Sequence, residues 1–240
     1  AAPTNVSGTY AYNLVSAVYQ SAPGCPNAIT GTATITVRPT PTATISGTIT
    51  VCQNDASPNI TFTNTSPLPI RIRYYINGAS STTINNVPAG GSVNVPVPTG
   101  TPGTFTYTFR DIRYNDNNPG CTVTPAGSAT VTVRPTPTAS ISGTTTVCQN
   151  DAQPNITFTN PQALPVTITY NINGGAPQTI NVAASSNATV AVPTGTAGTF
   201  AYNLVSVAYQ TAPNCSNSIS GTATVTVRPT PTASISGTTT

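Results

Sequence analysis

Few side chains in this sequence are able to do chemistry, and they recur at fixed intervals. Cysteines stand at positions 25, 52, 121, 148 and 215. All seven basic residues are Arg, all four acids are Asp (Asp55, Asp111, Asp116 and Asp151), and His, Lys, Glu and Met are missing. Acid–base or nucleophilic catalysis would have to run on an Asp, a Tyr or an unpaired thiol. Asp55 and Asp151 both follow Asn in "CQND", where a short carboxylate serves as a turn or cap acceptor. Calcium wants six to eight oxygens with several acids nearby, and zinc wants a CxxC or His pattern. Neither is written here. No catalytic, cofactor-binding or metal-ligating residue is therefore assigned, and the chain is expected not to be an enzyme. The lack of Lys also excludes Lys–Asn isopeptide crosslinks.

What remains is thiol chemistry, and its spacing follows an internal repeat. "VRPTPTATISGTIT" at Val37 returns as "VRPTPTASISGTTT" at Val133 and Val227. Arg38, Arg134 and Arg228 mark the period, 134 − 38 = 96 and 228 − 134 = 94 residues. "VCQNDASPNITFTN" at Val51 returns as "VCQNDAQPNITFTN" at Val147, and "GTYAYNL" at Gly8 returns at Gly103 and Gly198 in altered form. The expected organisation is the C-terminal part of a repeat (1–38), two complete repeats (39–134 and 135–228) and the start of another (229–240). A unit of about 95 residues is able to bury its own core, unlike solenoid repeats of about 20–50 residues that depend on their neighbours. Starting and stopping within a unit suggests a window from a longer chain, or a subunit that lends terminal strands to its neighbours.

Each repeat has an early cysteine in "VCQND" and a late one in a "PGC" or "PNC" loop. Two pairings fit. Within a repeat they are Cys52–Cys121 and Cys148–Cys215, which leaves Cys25 unpaired. Across the connector they are Cys25–Cys52 and Cys121–Cys148, which leaves Cys215. The first closes each repeat on itself and is the preferred expectation, although spacing does not determine connectivity. Either implies an oxidising compartment and adds about 2–4 kcal/mol per bridge.

The elements that position these cysteines read as strands. Ile60 and Phe62 alternate with Thr; Ile70, Ile72, Tyr74 and Ile76 alternate with Arg71, Arg73, Tyr75 and Asn77. Val93, Val95 and Val97, then Phe105, Tyr107 and Phe109, then Ala129, Val131 and Val133 continue the period of two. With "TATIS" near Ala43 and "STTIN" near Thr83, about seven strands fall in each repeat. No helical period is present. The expected fold is all-β: tandem immunoglobulin-like antiparallel sandwiches joined by short Pro-rich connectors. After Phe109 the alternation changes phase at Ile112 and Tyr114, as at a bulge or a strand end. Pro39 and Pro41 stiffen the connector, so repeats are expected to stack end to end and add roughly 30–45 Å each.

Charged residues make up 5% of the chain and the net charge is +3, too little and too dispersed for nucleic acid. No apolar run approaches the ~18 residues of a membrane span. The complete repeats differ at one informative place. Arg71, Arg73, Arg110, Asp111 and Arg113 stand where the second repeat has Thr167, Thr169, Val205, Ser206 and Ala208. On neighbouring strands they would form one polar patch, a contact site for an anionic surface glycan or for another copy of the chain. Tyr75 and Tyr114, read as exposed, would stack on sugars. Edge strands without Lys also make side-by-side packing of copies easy. The sequons at Asn59, Asn155 and Asn187 match a glycosylation acceptor, in a chain rich enough in Asn and Thr to produce them by chance.

"SGTTTVCQNDAQPNITFTN" (142–160), the late "PNC" and the closing "GTATVTVRPTP" (221–231) resemble the Ig-like or PKD-like repeats of very large surface proteins in Bacteroidota. The resemblance spans essentially the whole chain. It implies export by the type IX secretion system, a place on the cell surface, adhesin function with links to gliding motility, and a cysteine pair within each repeat. The chain departs from antibody-type domains in having no Trp, and from true PKD domains in having no "FGDG"-like segment. The function expected is a structural stalk or spacer of an extracellular adhesin, touching the neighbouring repeats of its own chain. The alternative is the building block of a self-assembling filament or sheath.

Overall fold

The computed structural model describes residues 1–115 and 121–237. Asp116 and the Pro119–Gly120 pair before Cys121 lie outside the described residues, as do 238–240. Two strands, β1 (Gly8–Val18) and β2 (Pro26–Val37), come before the first complete repeat. That repeat holds β3 (Ala43–Ser46), β4 (Ile49–Cys52), β5 (Asn59–Asn64), β6 (Ile70–Ile76), β7 (Thr82–Val87) and β8 (Ser92–Pro96). It continues with β9 (Gly103–Tyr114), β10 (Thr122–Val123) and β11 (Ser128–Arg134). The second repeat follows the same order. Its strands are β12 (Ser140–Ser142), β13 (Thr145–Cys148), β14 (Asn155–Asn160), β15 (Val166–Ile172), β16 (Gln178–Val182), β17 (Ser186–Ala191), β18 (Gly198–Tyr209), β19 (Ser216–Ser218) and β20 (Thr222–Arg228). Every described element is a strand, and no helix among the described residues is long and apolar enough to cross a membrane.

The chain divides into two compact units. One comprises Ala1–Gly47, Asn59–Val95 and Thr106–Ala129; the other comprises Thr48–Pro58, Pro96–Phe105 and Thr130–Thr240. In the first unit β1 and β2 form an antiparallel hairpin, β5 pairs with β3, and β6 lies between β7 and β9. The aromatic core joins its layers: the Phe62 ring lies 4.8 Å from Tyr74 and 5.7 Å edge-on from Phe109.

The second unit contains a whole sandwich, with sheets in the order β12-β14-β17 and β13-β20-β18-β15-β16. Ile156 and Phe158 face Ile168, Tyr170, Tyr202, Val207 and Val225 across the interlayer space, all buried. The alternating apolar residues thus fill the core while Thr lines the outer faces, an immunoglobulin-like arrangement.

Among the described residues each complete repeat has nine strands where about seven were expected, for two local reasons. The first strand of each repeat breaks at a glycine, Gly47 (φ 112°) or Gly143 (φ 116°). A Cβ at either position would lie 2.4 Å from the carbonyl oxygen of Asn59 or Asn155, so only Gly fits. The break lets β12 pair antiparallel with β14 while β13 crosses to the other sheet and runs parallel to β20. A short extra strand, β10 or β19, then pairs with the end of β9 or β18.

The phase change after Phe109 is a bulge. Tyr74 pairs with Phe109 and Arg73 with Asp111, so Arg110 is the extra residue and the strand runs on to Tyr114. The second repeat does the same at Val205. By turning the phase, the bulge sends Ile112 and Tyr114 inward. Tyr114 is therefore 1% exposed, its hydroxyl donating to the Pro39 carbonyl at 2.9 Å. That corrects its reading as an exposed sugar-stacking ring.

A buried Asn closes each β5-type strand. Asn160 Nδ2 donates to the carbonyls of Leu164 (3.0 Å), Val182 (3.4 Å) and Ala183 (2.8 Å), and its Oδ1 accepts the Gln162 amide at 2.9 Å. Asn64 repeats the pattern with Leu68, Val87, Pro88 and the Ser66 amide.

Candidate functional site

The richest cluster of specific contacts in the second unit surrounds the connector at 134–139. Three short segments build it. The first is the turn after β4, where Asn54 adopts φ 67° and the Asp55 carboxylate accepts the Cys52 amide at 3.0 Å. Asp55 is thus the cap of a tight turn, with Thr99 Oγ1 donating to its carbonyl at 2.5 Å. The second segment is the connector itself. The third is the loop between β18 and β19, which carries "TAPNC" and a cis Ala212–Pro213 bond.

These segments are tied together in four ways. Cys52 and Cys215 form a disulfide, S–S 2.00 Å with Cα atoms 5.5 Å apart. Arg134 Nη1 donates to the Thr211 and Pro213 carbonyls at 2.7 and 3.0 Å, and its guanidinium sits 5.9 Å from the centre of the Tyr209 ring. Gln53 Oε1 accepts both the amide and the hydroxyl of Thr136, at 3.1 and 3.2 Å. Asn217 Nδ2 donates to the Pro137 carbonyl at 3.1 Å. Polar backbone groups of the connector are thereby satisfied by side chains from either side, the Thr136 amide by Gln53 and the Pro137 carbonyl by Asn217.

The disulfide differs from the expected pairings. Neither Cys52–Cys121 nor Cys148–Cys215 forms, and neither does either cross-connector pair; Cys25, Cys121 and Cys148 are free and exposed. The reason is geometric. The "TAPNC" loop of the second repeat lies against the "VCQND" turn of the first, so the nearest late cysteine to Cys52 belongs to the following repeat. Spacing within a repeat holds no record of that approach. The residues that accompany the bond, Gln53, Arg134, Thr136 and Asn217, were not singled out from the sequence; the recurrence of Arg next to the connector prolines was the available signal.

The arginine group lies in the first unit, on the outer face of β6 and β9. Arg73 is opposite Asp111 and Arg71 is opposite Arg113 in register. Arg73 Nε donates to Asp111 Oδ1 at 2.8 Å and its Nη2 to Oδ2, a bidentate pair. Arg110 Nε lies 3.7 Å and Arg71 Nη2 4.0 Å from the same carboxylate. Asp111 is 7% exposed, covered by the guanidinium groups around it. Its hydrogen bond raises the pKa of Arg73. Burial, then repulsion from Arg113 and Arg73, lowers that of Arg71, whose Nε is buried without a hydrogen-bond partner among the described residues. Arg110 reaches Ser81 Oγ at 2.7 Å and lies 6.0 Å over the Tyr75 ring. Four Arg and one Asp give this face +3, and the other three Arg and three Asp cancel, so the net charge is gathered here and not dispersed as the sequence suggested, although it remains small.

No family model matches the sequence, and no curated protein matches it. Solved structures with a similar arrangement include a Ca²⁺-stabilized adhesin that helps an Antarctic bacterium reach out and bind ice. It is 20% identical with a TM-score of 0.41, over 91% of this chain and 57% of that one. Drosophila N-cadherin EC1-4 is 14% identical with a TM-score of 0.39, over 84% of this chain and 52% of that one. A two-domain fibronectin type III segment of chicken tenascin is 14% identical with a TM-score of 0.32, over 76% and 97%. The chain thus spans little more than half the length of the first two. The fold assignment rests on its own strand order and core.

Proposed function

We propose that this chain is a passive, non-catalytic spacer within a long repetitive extracellular surface protein of the adhesin kind. Its repeats hold a binding end, located elsewhere, away from the cell. The observation that carries this reading is the clamped connector. A Pro-rich segment fastened by a disulfide, an Arg, a Gln and an Asn is held in place within its unit, whereas a flexible tether would be left free. The disulfide calls for an oxidising compartment, which supports an extracellular place. The sequence resemblance supports the surface of a Bacteroidota cell and type IX export, with a part in adhesion or gliding. The electropositive face of β6 and β9 is the place for contact with carboxylate or sulfate groups of a surface glycan.

A second reading, assembly of copies into a filament or sheath, is supported by the lack of any Lys to block pairing at the edge strands. Electron microscopy of the native material, with gold-labelled antibody against residues 135–228, tests both. Label on single strings outside the cell supports the spacer. Chains packed with symmetry, or trading strands, support the filament, and label confined within cells overturns both.

A further inference from the structure

We infer that the cysteines obey a junction rule: the early cysteine of each repeat bonds to the late cysteine of the repeat that follows it. Cys148 is then a half-built junction awaiting a following "PxC" loop, and Cys121 and Cys25 are late cysteines for an early cysteine of a preceding repeat. The rule shares the Cys52–Cys215 bond with the spacer reading, but it is tested at Cys148, where its failure leaves that bond and the spacer reading standing.

The Cys148 turn is the Cys52 turn repeated. Cys148 N donates to Asp151 Oδ2 at 3.0 Å, as Cys52 N does to Asp55. Gln149 N donates to the Arg228 carbonyl at 2.8 Å, where Gln53 N donates to Arg134 at 2.9 Å. Asn150 has φ 68° against 67° for Asn54, and each donates its amide to a Thr carbonyl at 3.0 Å. Gln149 and Gln53 each donate Nε2 to a Gly carbonyl at 2.9 Å. Cys148 lies opposite Arg228 in the parallel pair as Cys52 lies opposite Arg134. The connector residues that grip the loop recur as well, since "RPTPTA" at 134–139 and 228–233 is identical.

The loop half of the junction also exists in a free form. "SAPGC" at 21–25 matches "TAPNC" at 211–215, with Pro two residues before Cys in both. Both turn their Sγ to the carbonyl of that Pro, at 3.7 and 3.6 Å. The chain thus displays one bonded turn and loop, the same turn at Cys148 and the same loop at Cys25. The bonded pair shows what such a turn takes. Bond formation joins two thiols, which give up two protons and two electrons to a disulfide oxidant, itself reduced to two thiols.

Residues 229–240 are identical to 135–146, so adding a second copy of 147–228 after Thr240 completes one more repeat. Both chains are refolded with oxidised and reduced glutathione, alkylated without reduction and weighed intact. The rule expects three alkylated cysteines in the chain as it stands and again three in the extended chain, where Cys148 takes the added late cysteine. Cys148→Ser in the extended chain should then raise the count to four. Five alkylated cysteines in the extended chain means that Cys148 bonds to nothing, and one means pairing within repeats or across connectors. Either overturns the rule. Peptides from the native protein, digested without reduction, test it independently of refolding. Val147–Asp151 linked to a late-cysteine peptide of another repeat supports it, and linkage to Cys215 of its own repeat overturns it.

Discussion

Replacing Asn160 by Ala tests how the sandwich is pinned at its corner. Asn160 is 1% exposed, and its amide nitrogen serves three carbonyls while its oxygen holds the Gln162 amide. Ala removes two donors and one acceptor at once. Each net hydrogen bond is worth about 1 kcal/mol, and a buried group left unpaired costs about 1–3 kcal/mol. The Val182 bond is the buried one; the Leu164, Ala183 and Gln162 partners are nearer solvent and regain water. The expected loss is about 3 kcal/mol, a fall in urea midpoint of about 1–3 M for a slope of about 1–3 kcal/mol/M. Because the chain has two units, unfolding should be followed by segment-resolved hydrogen exchange at each urea concentration. Asn160→Asp sharpens the test. It keeps the acceptor but points a carboxylate at three carbonyls, which raises its folded-state pKa. Stability should be poor at neutral pH and improve as pH falls through that raised value, when the acid becomes a donor. A loss below about 1 kcal/mol for Ala, or an Asp variant as stable as the parent at pH 7, would refute the reasoning.

Further outcomes follow from other sites. Gly143→Ala forces a Cβ to within 2.4 Å of a backbone oxygen at φ 116° and should cost about 2–4 kcal/mol by thermal or urea melts; a cost under about 1 kcal/mol means the strand break is not held there. Asp111→Ala leaves four guanidinium groups with no carboxylate. Its melting point should fall, and the deficit should shrink between about 0.05 and 0.5 M NaCl as the repulsion is screened, with no such trend for Ser206→Ala. Burial raises the pKa values of Tyr107, Tyr114, Tyr170, Tyr202 and Tyr209 above the usual 10.0. Stabilisation from a raised value is complete below the unfolded pKa and lost above it. With thiols blocked, stability should therefore hold from about pH 7 to 9 and drop above about 10, together with the tyrosinate absorbance.

The parts of the structure legible in the sequence are those set by local period. Ile60, Phe62, Ile70, Ile72, Tyr74, Tyr107, Phe109, Val131 and Val133 are all buried, because a strand with one wet face leaves its apolar residues a single side to go. The disulfide was not legible, since it depends on where the loop of one repeat meets the turn of the one before, a tertiary fact with no period. Tyr114 went wrong for a smaller reason: one extra residue at Arg110 inverts every face after it. The Arg–Asp group was visible as a difference between repeats, yet the grip of Arg73 on Asp111 needed the cross-strand register. Asn64 and Asn160 end the same "NITFTN" string, but a buried Asn at a strand end reads like an ordinary loop residue until its carbonyl partners are known.

The parallel pairing of β13 with β20 bears on how a repeat responds to tension. Thr145–Cys148 lie beside Val225–Arg228 and point the same way. The chain comes into the pair at one end and leaves it at the other. Pulling on the two sides of the repeat therefore slides these strands along each other, and the bonds between them are loaded all together. An antiparallel pair pulled at one end would instead open one bond at a time, at low force. By splitting its first strand at Gly143, the repeat places a pair that resists by shear between its entering and leaving segments.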